Sequence, residues 1–244
     1  MLSWCLNWRI VLNVSKCFHV NFSLLRANNI DFSYSIGNDI IEKVSSIKDL
    51  GVTFTYNLNF SQHITNITKK SFQMFGFMKR ILKPMNDPSV YLSLYHTLVR
   101  SRLEYCSFVW SPSGQTMRDK LERVQQKFVK FLSFKCKLPS ELSYAERCEY
   151  FKLPALDARR EMLDLRMVNK LLNNQVDCPK LLSRIGFGIP INRSRKRLFV
   201  SNHRLRVSQN SPISRSTTLA NNVDLDIFSP VSIFRRNSAS HFSF

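Results

Sequence analysis

The sequence predicts a mainly α protein with a small N-terminal antiparallel β portion, an α+β chain. Gly (6) and Pro (9) are sparse in its 244 residues, which favours helices over the many turns of a sandwich or barrel. Short runs of alternating apolar and polar residues occur within residues 1–58. From Phe60 onward, apolar residues instead recur with the 3.6-residue period of an α-helix.

Residues 1–58 predict a short helix followed by four extended segments. The extended segments are Cys17–Ser23, Asp31–Ile36, Asp39–Val44 and Leu50–Tyr56. Gly37 and Asn38 separate the second segment from the third and predict a hairpin turn there.

Residues 59–136 predict a bundle of three helices. The first covers Ser61–Lys83 and gathers its apolar residues within an arc of roughly 120°. These apolar residues are Ile64, Ile67, Met74, Phe75, Met78, Ile81 and Leu82. Asp87 and Pro88 begin the second helix as its cap and first residue. The second helix is expected to turn Val90, Tyr91, Leu94, Tyr95 and Leu98 toward the core.

The third helix, Thr116–Leu132, has an apolar stripe. That stripe consists of Met117, Leu121, Val124 and Phe128. Residues 137–187 predict additional helices, and residues 188–244 predict a basic, partly disordered tail. The beginning of that tail combines cations with many Ser and Asn residues and has no acid.

The charge balance favours a polyanionic partner. Lys and Arg number 36 against 17 Asp and Glu, a formal charge of +19. No apolar run reaches transmembrane length and no secretory h-region is present, so we expect an intracellular protein in the nucleus or cytoplasm, without a membrane partner. Arg9, Lys16 and Arg26, without acids nearby, also fit a transit peptide, although a first helix and strand explain them better.

The sequence predicts no catalytic or metal-binding residues. Two-metal polymerase chemistry needs carboxylates around one site, but the chain has no adjacent Asp pair. The six cysteines form no CxxC pair, and no phosphate-binding glycine loop is present. Asp157, Glu161 and Asp164 share a helix face with neighbouring arginines, which predicts a solvated charged face. We therefore expect neither a cofactor nor a small-molecule substrate.

Grouped cations on two helices make nucleic-acid binding the favoured hypothesis for this region, with a merely soluble surface as the alternative. Lys and Arg number 14 against 4 Asp and Glu between Phe60 and Lys137. Such cations can contact phosphates without reading sequence. The candidate binding residues are Lys69, Arg80, Lys83, Lys120, Arg123, Lys127, Lys130, Arg193, Arg195, Lys196 and Arg197.

Several motifs together resemble one family. Trp4-Cys5 and Lys16-Cys17 come first, followed by KDLGVTF from Lys48. LVRSRLEYCSFVWSP from Leu98 and LERVQQKFVKFL from Leu121 follow. In this order they resemble the C-terminal part of the reverse transcriptases of jockey-type non-LTR retrotransposons, covering the end of the palm, the thumb and the region beyond it.

The resemblance implies a role for each region. Residues 1–58 would be a remnant of the palm and primer grip, and residues 59–136 a thumb that holds RNA or an RNA–DNA duplex. The family binds two catalytic Mg²⁺ ions at a Tyr-Ala-Asp-Asp motif, which lies upstream of the segment that Trp4 begins. Lys16 matches the family's motif-D lysine, which would be idle without those carboxylates.

We therefore expect a truncated RNA-directed DNA polymerase that is inactive alone. The alternative is a non-catalytic protein that binds RNA or an RNA–DNA duplex. A relic without function is a third possibility, and the sequence leaves open whether an upstream coding segment supplies the palm.

Overall fold

A computed structural model describes residues 2–23, 32–187, 198–199 and 206–242. The chain divides into two units, Met1–His63 and Ile64–Phe244. The structure is 57% helical, and its strands form small two-stranded sheets. The predicted fold class, mainly α with a small β portion, is therefore confirmed. Among the described residues, no helix is both long enough and apolar enough to cross a bilayer.

The described residues of the first unit form one short helix, one 3₁₀ turn and six short strands. The helix α1 spans Leu2–Asn7 and the 3₁₀ turn spans Val14–Lys16. The strands are β1 (Phe18–His19), β2 (Ser35–Ile36), β3 (Asp39–Ile40), β4 (Glu42–Lys43), β5 (Ser46–Asp49) and β6 (Val52–Thr55). β2–β3 and β5–β6 pair antiparallel, whereas β1–β4 pair parallel.

Two hairpin turns of this unit depend on backbone that favours glycine. Gly37 has φ 64° in the β2–β3 turn, which confirms the predicted hairpin. Leu50 and Gly51 join β5 to β6 with φ 43° and 88°. Two consecutive positive φ angles are what a two-residue type I′ hairpin requires. The LG pair of the KDLGVTF motif is therefore explained by its turn, although the sequence did not predict β5 as a strand.

The second unit begins with a long helix followed by a broken helical segment. α2 (Ser61–Ile81) ends two residues before the predicted limit. Its buried side consists of Ile64, Thr68, Ser71, Phe75 and Met78, and Leu82, just beyond the helix, is buried as well. The prediction that Ile81 belongs to this side is wrong, because Ile81 is 57% exposed.

Helix α3 (Pro88–Leu94) has the predicted cap, since the Asp87 carboxylate accepts a hydrogen bond from the Ser89 N–H at 2.8 Å. A π-helical segment, Tyr95–Arg100, follows and leads into α4 (Ser101–Glu104). The buried residues along this stretch are Tyr91, Tyr95, Val99 and Leu103. Because a π-helix has more residues per turn, a spacing of four keeps them on one side. Val99, rather than Leu98, is therefore the fully buried residue here.

The remaining helices complete the second unit. They are α5 (Ser107–Trp110), α6 (Gln115–Lys135), α7 (Tyr144–Tyr150), α8 (Leu156–Leu172), α9 (Pro179–Leu182), α10 (Arg206–Gln209), α11 (Pro212–Asn222) and α12 (Val231–His241). A short antiparallel pair, β7 (Gly186–Phe187) with β8 (Leu198–Phe199), lies among them. The additional helices predicted within residues 137–187 thus correspond to α7, α8 and α9.

Helices α10, α11 and α12 lie within residues 188–244, the segment predicted as a basic, partly disordered tail. Ile213, Ile227 and Phe234 are buried in one core with Leu165 and Val168 of α8. Ser216 and Thr217 of α11 are buried, and the Ser216 hydroxyl donates to the Pro212 carbonyl at 2.7 Å. A Ser or Thr hydroxyl inside a helix can donate its hydrogen bond to a backbone carbonyl of the preceding turn. Because these side chains are small, a neighbouring helix can pack closely against them.

Candidate nucleic-acid interface

Helices α2 and α6 lie side by side and run parallel. Lys120 Nζ donates to Thr65 Oγ1 at 2.8 Å near the beginning of both helices. The rings of Phe75 and Phe128 meet edge to face with centroids 5.8 Å apart near the middle. Lys135 Nζ donates to the Lys83 carbonyl at 3.2 Å at the end. These contacts occur in the same order along both helices, so the helices share one direction.

Cations along this seam are fixed by aromatic rings. Lys127 Nζ lies 4.9 Å from the centre of the Phe72 ring. Lys79 Nζ lies 4.9 Å from the centre of the Phe131 ring and 5.5 Å from that of Phe75. An ammonium over a ring face is attracted by the ring electrons, and its methylene stem covers apolar surface. The charges along the seam are therefore held in place.

The outward cations of both helices face the same way. At 100° per residue, Lys69 and Arg80 lie roughly 140–160° from the buried side of α2. Arg123 and Lys130 lie roughly 170° from the buried side of α6 by the same geometry. Because the helices are parallel and their contact points fix their rotation, both buried sides lie on one side of the pair. The cations consequently share the opposite side, which we call the basic face.

The basic face carries almost no negative charge. The sequence has no acid between Asp49 and Asp87, and none between Glu122 and Glu141. Glu122 points inward, where it accepts hydrogen bonds from the Leu156 N–H at 3.0 Å and from the Tyr144 hydroxyl. Asp119, exposed four residues before Arg123, is the one carboxylate of α2 and α6 that helical spacing places on this side, so the field there is set mainly by lysine and arginine.

Most of the predicted binding residues come together on this face. Lys69, Arg80, Lys83, Arg123, Lys127 and Lys130 are exposed, and Lys120 is partly buried against Thr65. Arg193, Arg195, Lys196 and Arg197 lie outside the described residues. Lys16 is exposed in the 3₁₀ turn of the first unit. The described part of the chain holds no group of three or more His, Cys, Asp and Glu residues that could bind a metal ion.

Sequence reasoning missed Phe134, which lies on the outward side of α6 and is 81% exposed. On the helix it follows Lys127 and Lys130 by seven and four residues, so it extends the basic face toward Lys83. An aromatic ring beside cations is the combination that stacks on nucleic-acid bases. The sequence did contain a signal for this residue, because Phe134 lies outside the apolar stripe of a basic helix.

Buried polar groups fix α6 on the side opposite the basic face. Gln125, fully buried, accepts from the Tyr95 hydroxyl at 2.9 Å and donates to the Pro154 carbonyl at 3.0 Å. The rings of Tyr95 and Phe128 stack with centroids 4.0 Å apart. Burial raises the pKa of Glu122, and burial together with Glu122 raises the pKa of Tyr144. A satisfied hydrogen-bond network thus fixes the rotation of α6, one of the two helices that carry the basic face.

The LVRSRLEYCSFVWSP motif has a structural role. Glu104 accepts hydrogen bonds from both Nε and Nη2 of Arg159 on α8 and forms an ion pair with Arg100 at 3.5 Å. Cys106 adopts a left-handed backbone, φ 56°, between α4 and α5. Trp110 is buried, and its Nε1 donates to the Tyr105 carbonyl at 2.8 Å, whereas the Tyr105 ring and Cys106 are exposed. The motif therefore makes a fixed corner against α8.

Comparison with known proteins finds a distant sequence similarity. Over 132 residues the chain is 26% identical to the RNA-directed DNA polymerase from mobile element jockey of Drosophila melanogaster. The match covers 53% of this chain and 14% of that protein. No family model matches the chain, and no solved structure shows significant similarity to it. The predicted resemblance to a jockey-type non-LTR retrotransposon reverse transcriptase is thereby confirmed.

Proposed function

We propose that this chain is a duplex-holding part of a reverse-transcriptase-like protein and binds RNA or an RNA–DNA duplex through the basic face. The observation that carries the proposal is the parallel arrangement of α2 and α6, which places the predicted cations of both helices on one surface. The polymerase similarity supports nucleic acid as the partner.

The dimensions and chemistry of the basic face suit a phosphate backbone. Each of the two helices has 21 residues and is therefore about 31 Å long. Because α2 and α6 lie side by side, the face is wider than a single helix. Flexible lysines and arginines contact phosphates without reading base edges. We therefore expect binding that is sensitive to salt and largely independent of sequence.

We further propose that this chain does not polymerise DNA by itself. The support comes from the sequence, which lacks the adjacent aspartates that reverse transcriptases use to hold catalytic Mg²⁺. Primer extension by the purified chain with Mg²⁺ would contradict this part of the proposal. The binding part would survive that result, because the basic face does not depend on the missing carboxylates.

A second candidate function is nucleic-acid coating by the chain as an independent protein. The packing of α6 favours it, because Phe128 and Gln125 of this helix are buried against Tyr95 of the same chain. The two candidates share one surface and differ in whether a catalytic segment accompanies it. Co-purification of the chain with such a segment would favour the first candidate, and nucleic-acid complexes that contain the chain without such a segment would favour the second.

The binding test replaces four cations on α6 with glutamine: Lys120, Arg123, Lys127 and Lys130. We expect the affinity for an RNA–DNA duplex to fall about 10-fold or more at near-physiological salt, measured by fluorescence anisotropy. The matched control replaces four exposed cations outside α2 and α6, namely Arg102, Lys152, Lys180 and Arg184. Both variants lose the same net charge. Equal losses, or no binding by the unaltered chain, would contradict the proposal.

A further inference from the structure

An open cleft of about 510 Å³ lies in the second unit along one side of α8. Its walls come from the corner between α4 and α5, the middle of α8 and the first turns of α12. The described lining includes no residue of α2 or α6, so the cleft is separate from the basic face. Its volume falls within the range of roughly 300–1,000 Å³ that is typical of binding pockets.

The part of the cleft that α8 supplies is a strip along one face of this helix. Leu163, Arg166, Met167 and Lys170 line the cleft, and each is partly exposed. At 100° per residue, these four positions fall within an arc of about 100°. All other residues of this stretch are buried, namely Met162, Asp164, Leu165, Val168, Asn169 and Leu171. The strip is therefore the one open side of α8 between Met162 and Leu171.

The apolar part of the cleft suits the side chains of a peptide. Leu163 and Met167 lie one turn apart on α8, and Phe108 and Val231 also line the cleft. All four are partly exposed. Because three of them are not aromatic, they are better suited to contact aliphatic side chains than to stack on bases. Covering them would remove apolar surface from water.

Three cations at the cleft lack a carboxylate partner. Arg166, Lys170 and Arg235 line it, and none of them forms an ion pair with a described carboxylate. Glu104 is the one carboxylate among the described lining residues, and it is paired with Arg159 instead. The cleft therefore combines an apolar strip with positive charge that the described residues do not neutralise.

One of these cations is held in place before any ligand arrives. Arg166 Nε donates to Ser238 Oγ at 3.0 Å, and Nη2 donates to the Arg235 carbonyl at 3.1 Å. Burial lowers the pKa of Arg166, and the nearby charges of Arg235 and Arg159 lower it further, an effect that a bound carboxylate would oppose. A fixed guanidinium binds a carboxylate with little loss of side-chain entropy.

Charge also distinguishes between the possible occupants of the cleft. This chain has a formal charge of +19, so a second copy of it does not complement the three cations. Residues 188–205, most of which lie outside the described residues, contain no acid and do not complement them either. Nucleic acid would neutralise the cations and leave the apolar strip uncovered. A helix with apolar residues on one face and carboxylates beside them satisfies both parts of the cleft.

We propose that this cleft docks an acidic amphipathic helix of a partner protein. Apolar side chains of that helix pack against Leu163 and Met167. Its carboxylates pair with Arg166, Lys170 and Arg235. Recognition of an amphipathic helix in an apolar groove is a recurrent mode of peptide binding. The proposal goes beyond duplex binding and does not rest on the basic face.

The experiment measures, by fluorescence anisotropy, binding of the full chain to a labelled peptide whose leucines recur at spacings of three and four residues among glutamates. One comparison peptide has the same composition with its leucines spread around the helix, and another has serine in place of leucine. We expect both to bind about tenfold or more weakly, because neither presents an apolar face to the strip. Equal affinity of the three peptides, or no binding of the first, would overturn the proposal.

The protein arm of the test reverses two charges of the cleft by the changes Lys170→Glu and Arg235→Glu, which leave the backbone carbonyl of residue 235 for Arg166. Affinity for the first peptide should fall about tenfold or more, because like charges then face each other. The matched control carries Lys180→Glu and Arg184→Glu, two exposed positions outside the cleft, and changes the net charge equally. Circular dichroism checks that both variants are folded. Equal losses of affinity in the two variants would overturn the proposal.

A competition experiment separates peptide docking from nucleic-acid binding. The α6 variant with four cations replaced should retain full affinity for the first peptide, because α6 does not line the cleft. An RNA–DNA duplex that displaces the peptide from this variant would assign the cleft to nucleic acid and overturn the proposal. A failure of peptide docking is thus separable from a failure of duplex binding at the basic face.

Discussion

The two units of the chain differ in how much apolar surface they bury. Among the described residues of the first unit, Cys5 and Val52 are the buried apolar ones, while Trp8, Tyr34 and Leu50 are 68%, 52% and 82% exposed. In the second unit, α6 alone buries Leu121, Val124, Phe128, Val129 and Leu132. Strands of two to four residues cannot cover a hydrophobic face, whereas helices of 21 residues can. The stability of the chain should therefore reside in the helical unit.

The largest difference between the units is expected when one ring is removed from each. Phe128 is fully buried between Phe75 and Tyr95, so Phe128→Ala should lower the free energy of unfolding by about 3–5 kcal/mol. Phe54 is partly buried against Phe60, so Phe54→Ala should cost less than about 1.5 kcal/mol. Urea unfolding followed by circular dichroism measures both. Equal losses would contradict the placement of stability in the helical unit.

The second prediction concerns the ion pair that fastens α11 to α8. Arg215 Nε donates to Asp164 Oδ2 at 2.8 Å, and Asp164 is 2% exposed. Arg215→Met should lower the free energy of unfolding by about 3 kcal/mol at pH 7, because a buried carboxylate then lacks its partner. Glu42→Ala, at an exposed position of the first unit, should change it by about 0.5 kcal/mol or less.

The pH dependence of that variant follows from Asp164. Burial raises the pKa of this carboxyl above its unfolded value of 3.8, although Arg215 opposes the shift. Removing Arg215 raises the folded pKa further. The folded variant then holds a proton that the unfolded chain has released, so its stability rises as pH falls toward 3.8. The defect should therefore be smaller at pH 4.5 than at pH 7. A defect that grows in acid would contradict the role of Asp164.

The parts of the fold predicted from sequence are those determined locally. The amphipathic period predicted α2 and α6, and the Asp87-Pro88 cap predicted the beginning of α3. Partners distant in the chain determine the remaining features. The π-helical segment follows the packing of Tyr95 on Phe128, and Asp164 is neutralised by Arg215 from 51 residues away. Neither pairing has a signal in local periodicity.

The candidate binding residues also divide into a part that local sequence predicts and a part that depends on distant contacts. Grouped cations on each helix could be recognised from the sequence, because helical spacing alone places them opposite the apolar stripe. That both groups share one face depends on the parallel contact of α2 with α6, which pairs residues about 52–55 positions apart. Phe134 was missed because helical periodicity predicts which residues are buried and does not say which exposed ring is useful.

The third prediction compares exposed aromatic residues of the two units. Phe134→Ala should weaken binding of a duplex with a single-stranded overhang by about fivefold or more, since stacking on one base contributes roughly 1–3 kcal/mol. Tyr56→Ala, at a 50% exposed ring of the first unit, should leave binding unchanged. Neither change should alter the melting temperature appreciably. A larger effect of Tyr56→Ala would place the nucleic-acid surface in the first unit instead.

The salt dependence of duplex binding tests most directly whether α2 and α6 form one basic face. The slope of log K against log salt would be measured for the unaltered chain, for the α6 variant and for a variant that also replaces Lys69, Arg80 and Lys83. Removing one cation that contacts a phosphate should reduce the slope by about 0.9, so the two helices should lower it in successive steps. A slope unchanged by either set of substitutions would contradict the existence of a shared basic face.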